Sequence, residues 1–345
     1  MLYVGTYALR GSEGIYGFDF DADTGALASR GALAGVPNSS FLALHPRGRW
    51  LYAVSEGDAG TVAAFDLQNE PGVSPLINEQ STLGSAPCHL AVDPAGQWLV
   101  TANYGSGSVV LHRIAAEGSL GAASDLAQHA GTGPNAARQE GPHAHSVTLD
   151  ASGRFAIAAD LGIDRLVIYA LDREAGKLVP HAEAVVAPGS GPRHFAFHPS
   201  GKWAYVITEL ANTVVAYAWD GEAGALTELQ TVPTLPAGFA GVSHCADIHV
   251  HPSGRYVYGS NRGHDSLAVF AVDEGTGVLT PTGHVSTGGG NPRNFTVTAD
   301  GRWLLAANQD SDSIVVFRVA EEGAKLEPVG EPFSVPAPVC LVFAG

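Results

Sequence analysis

The stretch GPRHFAFHPSGKWAYVITELANTVVAY, from Gly191 to Tyr217, recurs five more times in altered form along a chain of 345 residues. Each copy has the pattern of an apolar strand, a turn containing Gly, a second apolar strand, a small polar turn and a β-branched strand. Such a repeat decides the architecture, because each unit can bury its apolar faces only against its neighbours. The other copies begin at Pro37, Ala86, Gly141, His244 and Asn291.

The spacing of the copies predicts the blades of a β-propeller. Measured from the Gly of the first turn, successive copies lie 48, 57, 48, 53 and 47 residues apart. A linker and a weaker fourth strand follow each β-branched strand, and four strands in about 50 residues is the composition of a propeller blade. These anchoring glycines are Gly48, Gly96, Gly153, Gly201, Gly254 and Gly301.

The two chain ends resemble the missing parts of one further blade. PAPVCLVFAG resembles the first strand of a repeat, and LYVGTYALRGSEGIYGFDF resembles the second and third strands. Pairing the ends removes the edges that an open array would expose. We therefore predict an all-β, seven-bladed β-propeller with four-stranded blades, closed by the N- and C-terminal strands, as a single domain over residues 1–345. An open β-solenoid or a two-domain sandwich is the alternative that the repeat disfavours.

Charge and composition exclude several classes of partner. The net charge of −16 disfavours nucleic acid and anionic membrane surfaces. Three cysteines are too few for a disulfide framework and have no metal-binding spacing. The N-terminus shows neither a signal peptide nor a membrane span, which predicts a cytoplasmic protein. A closed propeller needs no partner surface, so we expect a monomer or a weak homodimer.

Three positions in each repeat fall on one rim of the propeller. The first strand starts, and the second ends, at the same end of their antiparallel hairpin, near the axis. The first column, eight residues before the Gly, reads Ser40, Cys88, His145, Arg193, Ala246 and Arg293, and the second, seven residues before it, reads Phe41, His89, Ser146, His194, Asp247 and Asn294. The third column, eight residues after the Gly, reads Glu56, Tyr104, Leu161, Glu209, Arg262 and Gln309, and Tyr7 is its counterpart in the terminal blade.

This rim has the composition of a small-anion site. Arg193, Arg262 and Arg293 could hold a phosphate or carboxylate, and Glu209 or His145 could move protons. Such groups are costly to crowd together unless they are paired or solvated. A solvated channel without a ligand is the alternative explanation of the same columns.

Other polar residues have simpler interpretations. The pairs His143/His145 and Asp247/His249 each place two potential ligands on one face of a strand, so a metal is an alternative, although neither pair alone makes a site. Cys88 is interpreted as a small buried thiol. Three histidines in the His-Pro turns, at the opposite rim, are interpreted as structural: His45, His198 and His251.

Five motifs together resemble the seven-bladed lactonase family, which includes propeller-type 6-phosphogluconolactonases and carboxy-cis,cis-muconate cyclising enzymes. The resemblance runs from the first strand to the last. It implies the propeller fold, a small anionic lactone as substrate, no metal and no organic cofactor. The motifs are HAHS at 143–146, GPRHF at 191–195, TEL at 208–210, HVHPSGRY at 249–256 and SNRGHDS at 260–266.

The resemblance also implies roles for particular residues. By motif, the family's proposed active residues fall on His145, Arg193, Glu209 and Arg262, all of which the columns place on one rim. The sixth copy reads NPRNF, so Asn294 stands where a second His is possible. Further candidates for substrate binding are His143, His194, Asp247, Arg293 and Tyr104.

We therefore expect a hydrolase that opens a sugar lactone, with 6-phosphoglucono-δ-lactone as the substrate, in the pentose phosphate pathway. Glu209 or His145 would take a proton from water, Arg193 or Arg262 would stabilise the oxyanion, and Arg293 would hold the phosphate. A muconate-type cyclase could use the same residues to form a lactone. A non-catalytic binding propeller is the third alternative, and it predicts an exposed apolar patch on one face.

Overall fold

The computed structural model describes residues 1–34, 36–68, 75–320 and 323–344. Strands dominate these residues, with one 3-10 helix at Gln309–Ser311. The first fifteen strands are β1 (Leu2–Thr6), β2 (Gly14–Phe20), β3 (Leu27–Ala34), β4 (Leu42–Leu44), β5 (Trp50–Ser55), β6 (Thr61–Asp66), β7 (Leu76–Ser81), β8 (Pro87–Val92), β9 (Trp98–Asn103), β10 (Ser108–Ile114), β11 (Leu120–Gln128), β12 (Ala144–Leu149), β13 (Phe155–Asp160), β14 (Arg165–Asp172) and β15 (Lys177–Val185).

The second half of the chain continues the same pattern. No helix among the described residues has the length and apolar character that crossing a membrane requires. The remaining strands are β16 (Pro192–Phe197), β17 (Trp203–Thr208), β18 (Thr213–Asp220), β19 (Ala225–Pro233), β20 (His244–Val250), β21 (Tyr256–Arg262), β22 (Ser266–Val272), β23 (Leu279–Ser286), β24 (Pro292–Val297), β25 (Trp303–Asn308), β26 (Ser313–Ala320), β27 (Lys325–Pro328), β28 (Phe333–Ser334) and β29 (Pro338–Phe343).

The strands form seven antiparallel sheets in a ring. Blade 1 has the order β29-β1-β2-β3, and blades 2 to 7 follow along the chain, starting at β4, β8, β12, β16, β20 and β24. The first strand of each blade contacts the first strand of the next, and β29 contacts both β24 and β4. The prediction of a seven-bladed propeller is confirmed.

Blade 1 closes the ring with strands from both chain ends. Strand β29 pairs with β1, with Leu2 opposite Phe343 and Val4 opposite Leu341. This is the closure that the terminal sequences predicted. This pairing gives blade 1 the same four-stranded order as the other blades, so the ring closes without an unpaired terminal strand.

Apolar side chains of neighbouring blades form the core. Seven clusters are described, one between each successive pair of blades. Between blades 4 and 5, for example, Ile157 and Ile168 lie with Val206 and Tyr217. The inner strands read as continuous apolar runs because both of their faces are covered, whereas the fourth strands are largely exposed on their outer face.

Candidate active site

The columns predicted from the repeat meet around a cavity of about 290 Å³. It lies at the rim where the second strands end, because Glu56 directly follows β5, Glu209 follows β17 and Arg262 ends β21. The anchoring glycines occupy the opposite ends of the same hairpins. The cavity is lined by Glu56, Cys88, Tyr104, Arg138, His145, Glu209, His244, Arg262 and Arg293.

Glu209 is held by three arginines on one side of this cavity. Arg138 Nη2 lies 2.6 Å from Oε1, while Arg193 Nε and Arg262 Nη2 lie 3.0 and 2.9 Å from Oε2. Burial alone would raise the pKa of Glu209, but the three guanidinium groups outweigh it and hold this pKa far below its usual range. Glu209 is therefore a carboxylate whose two oxygens are both occupied. We call Glu209, Arg138, Arg193 and Arg262 the Glu209 cluster.

Arg193 connects this cluster to a deeper network. Burial lowers the pKa of Arg193 to about 10, so it stays charged at neutral pH. Its Nη1 donates to His194 Nε2 at 3.2 Å and also contacts the carbonyl of Ala246. Since Nε2 accepts from a guanidinium, Nδ1 carries the proton that His194 donates to Asp247 at 2.7 Å. Burial, together with Arg193, lowers the pKa of His194 to about 4.

Asp247 joins several blades near the axis. Besides His194 of blade 5, it accepts from Asn294 Nδ2 of blade 7 at 2.6 Å and lies 3.1 Å from His249 Nε2. Asn294 Oδ1 in turn accepts from the amide of Leu341 in the closing strand at 2.7 Å. An amide can bond both partners at once, which explains why Asn294 suits this position. His194 and Asp247 thus belong to the framework beneath the cavity.

A second carboxylate, Glu56 of blade 2, lies across the propeller axis from Glu209 of blade 5, because these blades are three apart in a ring of seven. Tyr7 donates its hydroxyl to Glu56 Oε2 at 3.1 Å. Burial raises the pKa of Tyr7 to about 12, so the phenol keeps its proton. The guanidinium of Arg293 stacks over the Tyr7 ring at 5.3 Å from its centroid. We call Tyr7, Glu56 and Arg293 the Glu56 cluster.

Arg293 differs from the arginines of the Glu209 cluster. No hydrogen bond or ion pair joins its guanidinium to any residue in the described part of the chain, although it lines the cavity. Within the described ranges, its five N–H donors therefore have no protein acceptor. A guanidinium in this state is ready to receive an oxygen of a ligand.

His145 and Cys88 lie beside each other on the cavity wall. His145 Nδ1 is 3.8 Å from Cys88 Sγ. Burial and the nearby Arg193 hold the pKa of His145 well below its usual value, so the imidazole is neutral. Burial raises the pKa of the Cys88 thiol, which therefore stays protonated and is no nucleophile.

The two HAH histidines take different positions. His143 stacks on Tyr104, with ring centroids 4.5 Å apart and an interplanar angle of 17°, and its Nδ1 lies 2.9 Å from the Tyr104 carbonyl. His145, in contrast, lines the cavity. Within the described ranges, three or more His, Cys, Asp or Glu side chains nowhere converge as a metal site would require.

Sequence reasoning missed Arg138. It lies on the connection between β11 and β12, outside the repeat columns, and reaches Glu209 from the mouth of the cavity with its side chain 35% exposed. Buried contacts anchor this connection: His129 Nδ1 lies 2.6 Å from Asp160, and Gln139 Nε2 donates to Asp164 at 2.8 Å. The one available signal was the 57-residue spacing between Gly96 and Gly153, the longest of the set.

The electrostatics define the class of site. Four guanidinium groups surround two carboxylates, so the cavity is positive within a chain whose net charge is −16. Clefts of this kind concentrate anions. The fold and the site together define a closed β-propeller with a small, positively charged axial pocket.

Comparison with known proteins makes this class specific. Residues 1–343 match the family described as "Lactonase, 7-bladed beta-propeller", and the chain belongs to that family. The prediction of a lactone hydrolase is confirmed at the level of the family.

Relatives of this chain are similar over most of their length. A 6-phosphogluconolactonase of Bacillus subtilis is 40% identical over 342 residues, which is 99% of this chain and 97% of the relative. A 6-phosphogluconolactonase of Formosa agariphila is 33% identical over 86% of each chain. The structure of a periplasmic gluconolactonase of Pseudomonas aeruginosa superposes with a TM-score of 0.92, at 32% identity, covering 99% of this chain and 98% of that one.

Proposed function

We propose that this protein hydrolyses 6-phosphoglucono-δ-lactone to 6-phosphogluconate. The observation that carries the proposal is the positive cavity, with three arginines fixed on Glu209 on one side and, on the other, Arg293, which has no ion-pair partner among the described residues. A phosphorylated lactone has one strong anion and one carbonyl that becomes anionic during hydrolysis. The full-length similarity to the Bacillus subtilis 6-phosphogluconolactonase supports the same substrate.

The Glu209 cluster is the proposed phosphate site. Its three arginines exceed the charge of Glu209 by two, which matches a phosphate dianion. Arg138 and Arg262 line the cavity and retain N–H donors that Glu209 does not use. Glu209 acts as a positioning residue, because it holds the guanidinium groups in place before the substrate binds.

A phosphate bound there directs the lactone ring across the axis toward Arg293 and His145. Water adds to the ring carbonyl carbon, and the carbonyl oxygen becomes an oxyanion. The free donors of Arg293 stabilise this charge, a contribution of roughly 3–4 kcal/mol for one oxyanion donor in well-studied sites. When the bond between the carbonyl carbon and the ring oxygen breaks, the proton that the attacking water has given up reaches that oxygen through the neutral His145 imidazole.

Glu209 is a poor candidate for the base that activates water. Its oxygens already accept hydrogen bonds from three guanidinium groups, and its pKa lies far below the usual carboxyl range. A base with so low a pKa is weak. Of the two residues that the sequence offered as the base, His145 is left, and it lines the cavity on the side where Arg293 would meet the lactone carbonyl. Glu56 lines the same side.

Hydrolysis of freshly generated 6-phosphogluconolactone, corrected for spontaneous opening, tests the proposal. We expect turnover far above the background rate, equal with and without a chelator. Turnover that a chelator abolishes would contradict a mechanism based on these side chains alone. Absence of turnover would refute the proposed substrate, and loss of diene absorbance from a muconate would then identify a cyclase.

The product, 6-phosphogluconate, assigns the reaction to the pentose phosphate pathway. A cytoplasmic location stays a prediction, and the three buried, unpaired cysteines are consistent with a reducing compartment. A monomeric or weakly dimeric state also stays a prediction. Sedimentation at micromolar concentration would test it.

A further inference from the structure

Beneath the cavity lies a second, much smaller chamber of about 10 Å³. The two spaces share Glu56, Cys88, His145 and Arg293 as lining residues, so the chamber adjoins the reacting end of the cavity. A space of this size holds about one water molecule. A water there would lie next to the proposed position of the lactone carbonyl.

The walls of the chamber are polar enough to hold a water molecule. Ser40 lines it and is 5% exposed, and its Oγ has no hydrogen-bond partner within the described part of the protein. The Glu56 carboxylate, the His145 imidazole and the Arg293 guanidinium complete a set of donors and acceptors. An ordered buried water typically makes about three hydrogen bonds, which this set can supply.

The two carboxylates of the site differ in how their oxygens are used. Glu209 binds three guanidinium groups through both oxygens. Glu56 accepts one hydrogen bond, from Tyr7 to Oε2, and among the residues described here its Oε1 has no partner. Only Glu56 therefore has an oxygen free to accept a proton from water in the chamber.

We propose that the chamber holds the hydrolytic water and that Glu56 is the general base that deprotonates it. This inference rests on the proposed lactone hydrolysis and adds a residue to it. Tyr7 fixes the Glu56 carboxylate through Oε2, and Ser40 and His145 orient the water. Arg293, shared by chamber and cavity, lies where the oxyanion forms.

The step balances in atoms and charge. Glu56 takes one proton from water, the water oxygen bonds to the carbonyl carbon, and the carbonyl electrons move to its oxygen beside Arg293. On collapse, the bond to the ring oxygen breaks. His145 gives its proton to that oxygen and regains one from Glu56. The carboxylic acid formed then releases a proton to solvent, which restores the enzyme.

The experiment compares wild type with Glu56→Gln, Glu56→Ala and, as a matched control, Glu183→Gln, whose side chain is 57% exposed at the outer edge of blade 4. The readouts are kcat for 6-phosphogluconolactone and the calorimetric affinity for 6-phosphogluconate. We expect Glu56→Gln to lower kcat by roughly 100-fold or more, the usual contribution of a general base, while product affinity changes less than about threefold. Glu183→Gln should match wild type.

Chemical rescue distinguishes a base from a structural role. Formate can enter the space left in Glu56→Ala and replace the carboxylate, whereas Glu56→Gln leaves no such space. We expect formate to raise kcat of Glu56→Ala at least roughly tenfold over the enzyme-free formate background, with no gain for Glu56→Gln.

Three outcomes are decisive. Active wild type with Glu56→Gln retaining more than about a tenth of its kcat would overturn the base assignment alone. Loss of activity in Glu56→Ala that formate does not restore, in a variant that melts like wild type, would also overturn it. Inactive wild type would overturn the lactonase proposal and this inference with it.

Discussion

The two rims of the propeller are built from opposite ends of the same hairpins, yet one repeats from blade to blade and the other does not. At the turn rim, each anchoring Gly donates its amide to the carbonyl three residues earlier, at 2.8 or 2.9 Å in all six turns. At the cavity rim, equivalent positions hold residues as different as Glu56, Tyr104, Glu209 and Arg262.

The turn rim also links neighbouring blades in a regular way. His45 Nε2 lies 3.0 Å from the carbonyl of Gly96 in the next blade, and the same contact joins His198 to Gly254 and His251 to Gly301, at 2.8 and 3.0 Å. The interpretation of these histidines as structural is therefore confirmed. Because this rim fixes the hairpins, the cavity rim can change its side chains without changing the fold. Mutations at the turn rim should accordingly lower stability, and mutations at the cavity rim should lower activity.

The largest expected effect is on activity at the cavity rim. Arg293→Ala should lower kcat by roughly 100- to 1,000-fold, the loss typical for one oxyanion donor. The free energy of unfolding should stay near the wild-type value, because Arg293 has no hydrogen bond or ion pair to lose among the described residues. Steady-state kinetics and urea denaturation measure the two quantities. A large loss of stability with kcat unchanged would reverse the assignment of this residue.

The turn rim should show the opposite result. Gly254 has a φ of +77°, and an added Cβ would lie 2.7 Å from His198 Nε2. Gly254→Ala should therefore lower the free energy of unfolding by about 2 kcal/mol and leave kcat unchanged. Gly201→Ala is the matched control, since Gly201 has a similar φ of +68° but no atom within 4 Å of the added Cβ.

The comparison of Gly254 with Gly201 isolates the contact between Gly254 and His198 of the neighbouring blade. Equal destabilisation in both variants would show that backbone strain alone requires glycine there. Adding His198→Ala to Gly254→Ala should recover part of the lost stability, because the clash is removed. Purely additive losses in this double variant would contradict the contact.

A smaller effect is expected at the mouth of the cavity. Arg138→Ala should raise KM for 6-phosphogluconolactone by roughly tenfold, since it removes one of the proposed phosphate donors, and should leave KM for glucono-δ-lactone nearly unchanged. Exposed Arg113 on blade 3 supplies the control variant Arg113→Ala. Equal losses for both lactones would place Arg138 outside the phosphate site.

The smallest effect concerns pH and the buried framework. Burial and the neighbouring His194 hold the pKa of His89 well below its usual 6.5, so the native state keeps it neutral. Below pH 6.5 the unfolded chain binds a proton there that the folded protein does not, and stability falls as pH falls toward the native pKa. His89→Gln should therefore reduce the drop in Tm between pH 7.5 and 5.5. The variant of an exposed histidine, His181→Gln, should not, and an identical drop in both variants would contradict this account.

Most of the fold could be predicted from the sequence because propeller blades are local and repeated. The Gly-centred turns identified six blades, and the apolar stretches at the termini identified the seventh with its closure. The columns likewise predicted which residues meet at one rim, because antiparallel pairing follows directly from the hairpin turn. The lactonase family followed from motifs on those same strands.

The sequence did not show which side chains of different blades contact one another. Glu56 and Glu209 occupy the same column, and only the structure distinguishes Glu209, held by three arginines, from Glu56, whose carboxylate is bound among the described residues by Tyr7. Arg138 escaped detection because it lies on a connection outside the repeat. The role of Asn294 was equally hidden, since it depends on Asp247 and on the closing strand.

In the proposed function, the Glu209 cluster selects a phosphorylated lactone while the opposite side of the cavity carries out hydrolysis. The most direct test is the ratio of kcat/KM for 6-phosphogluconolactone to that for glucono-δ-lactone, in wild type and in the double variant Arg138→Ala/Arg262→Ala. We predict a ratio of roughly 100 or more in wild type and a ratio near one in the double variant, with hydrolysis of glucono-δ-lactone largely retained. An unchanged ratio in the double variant would contradict the claim.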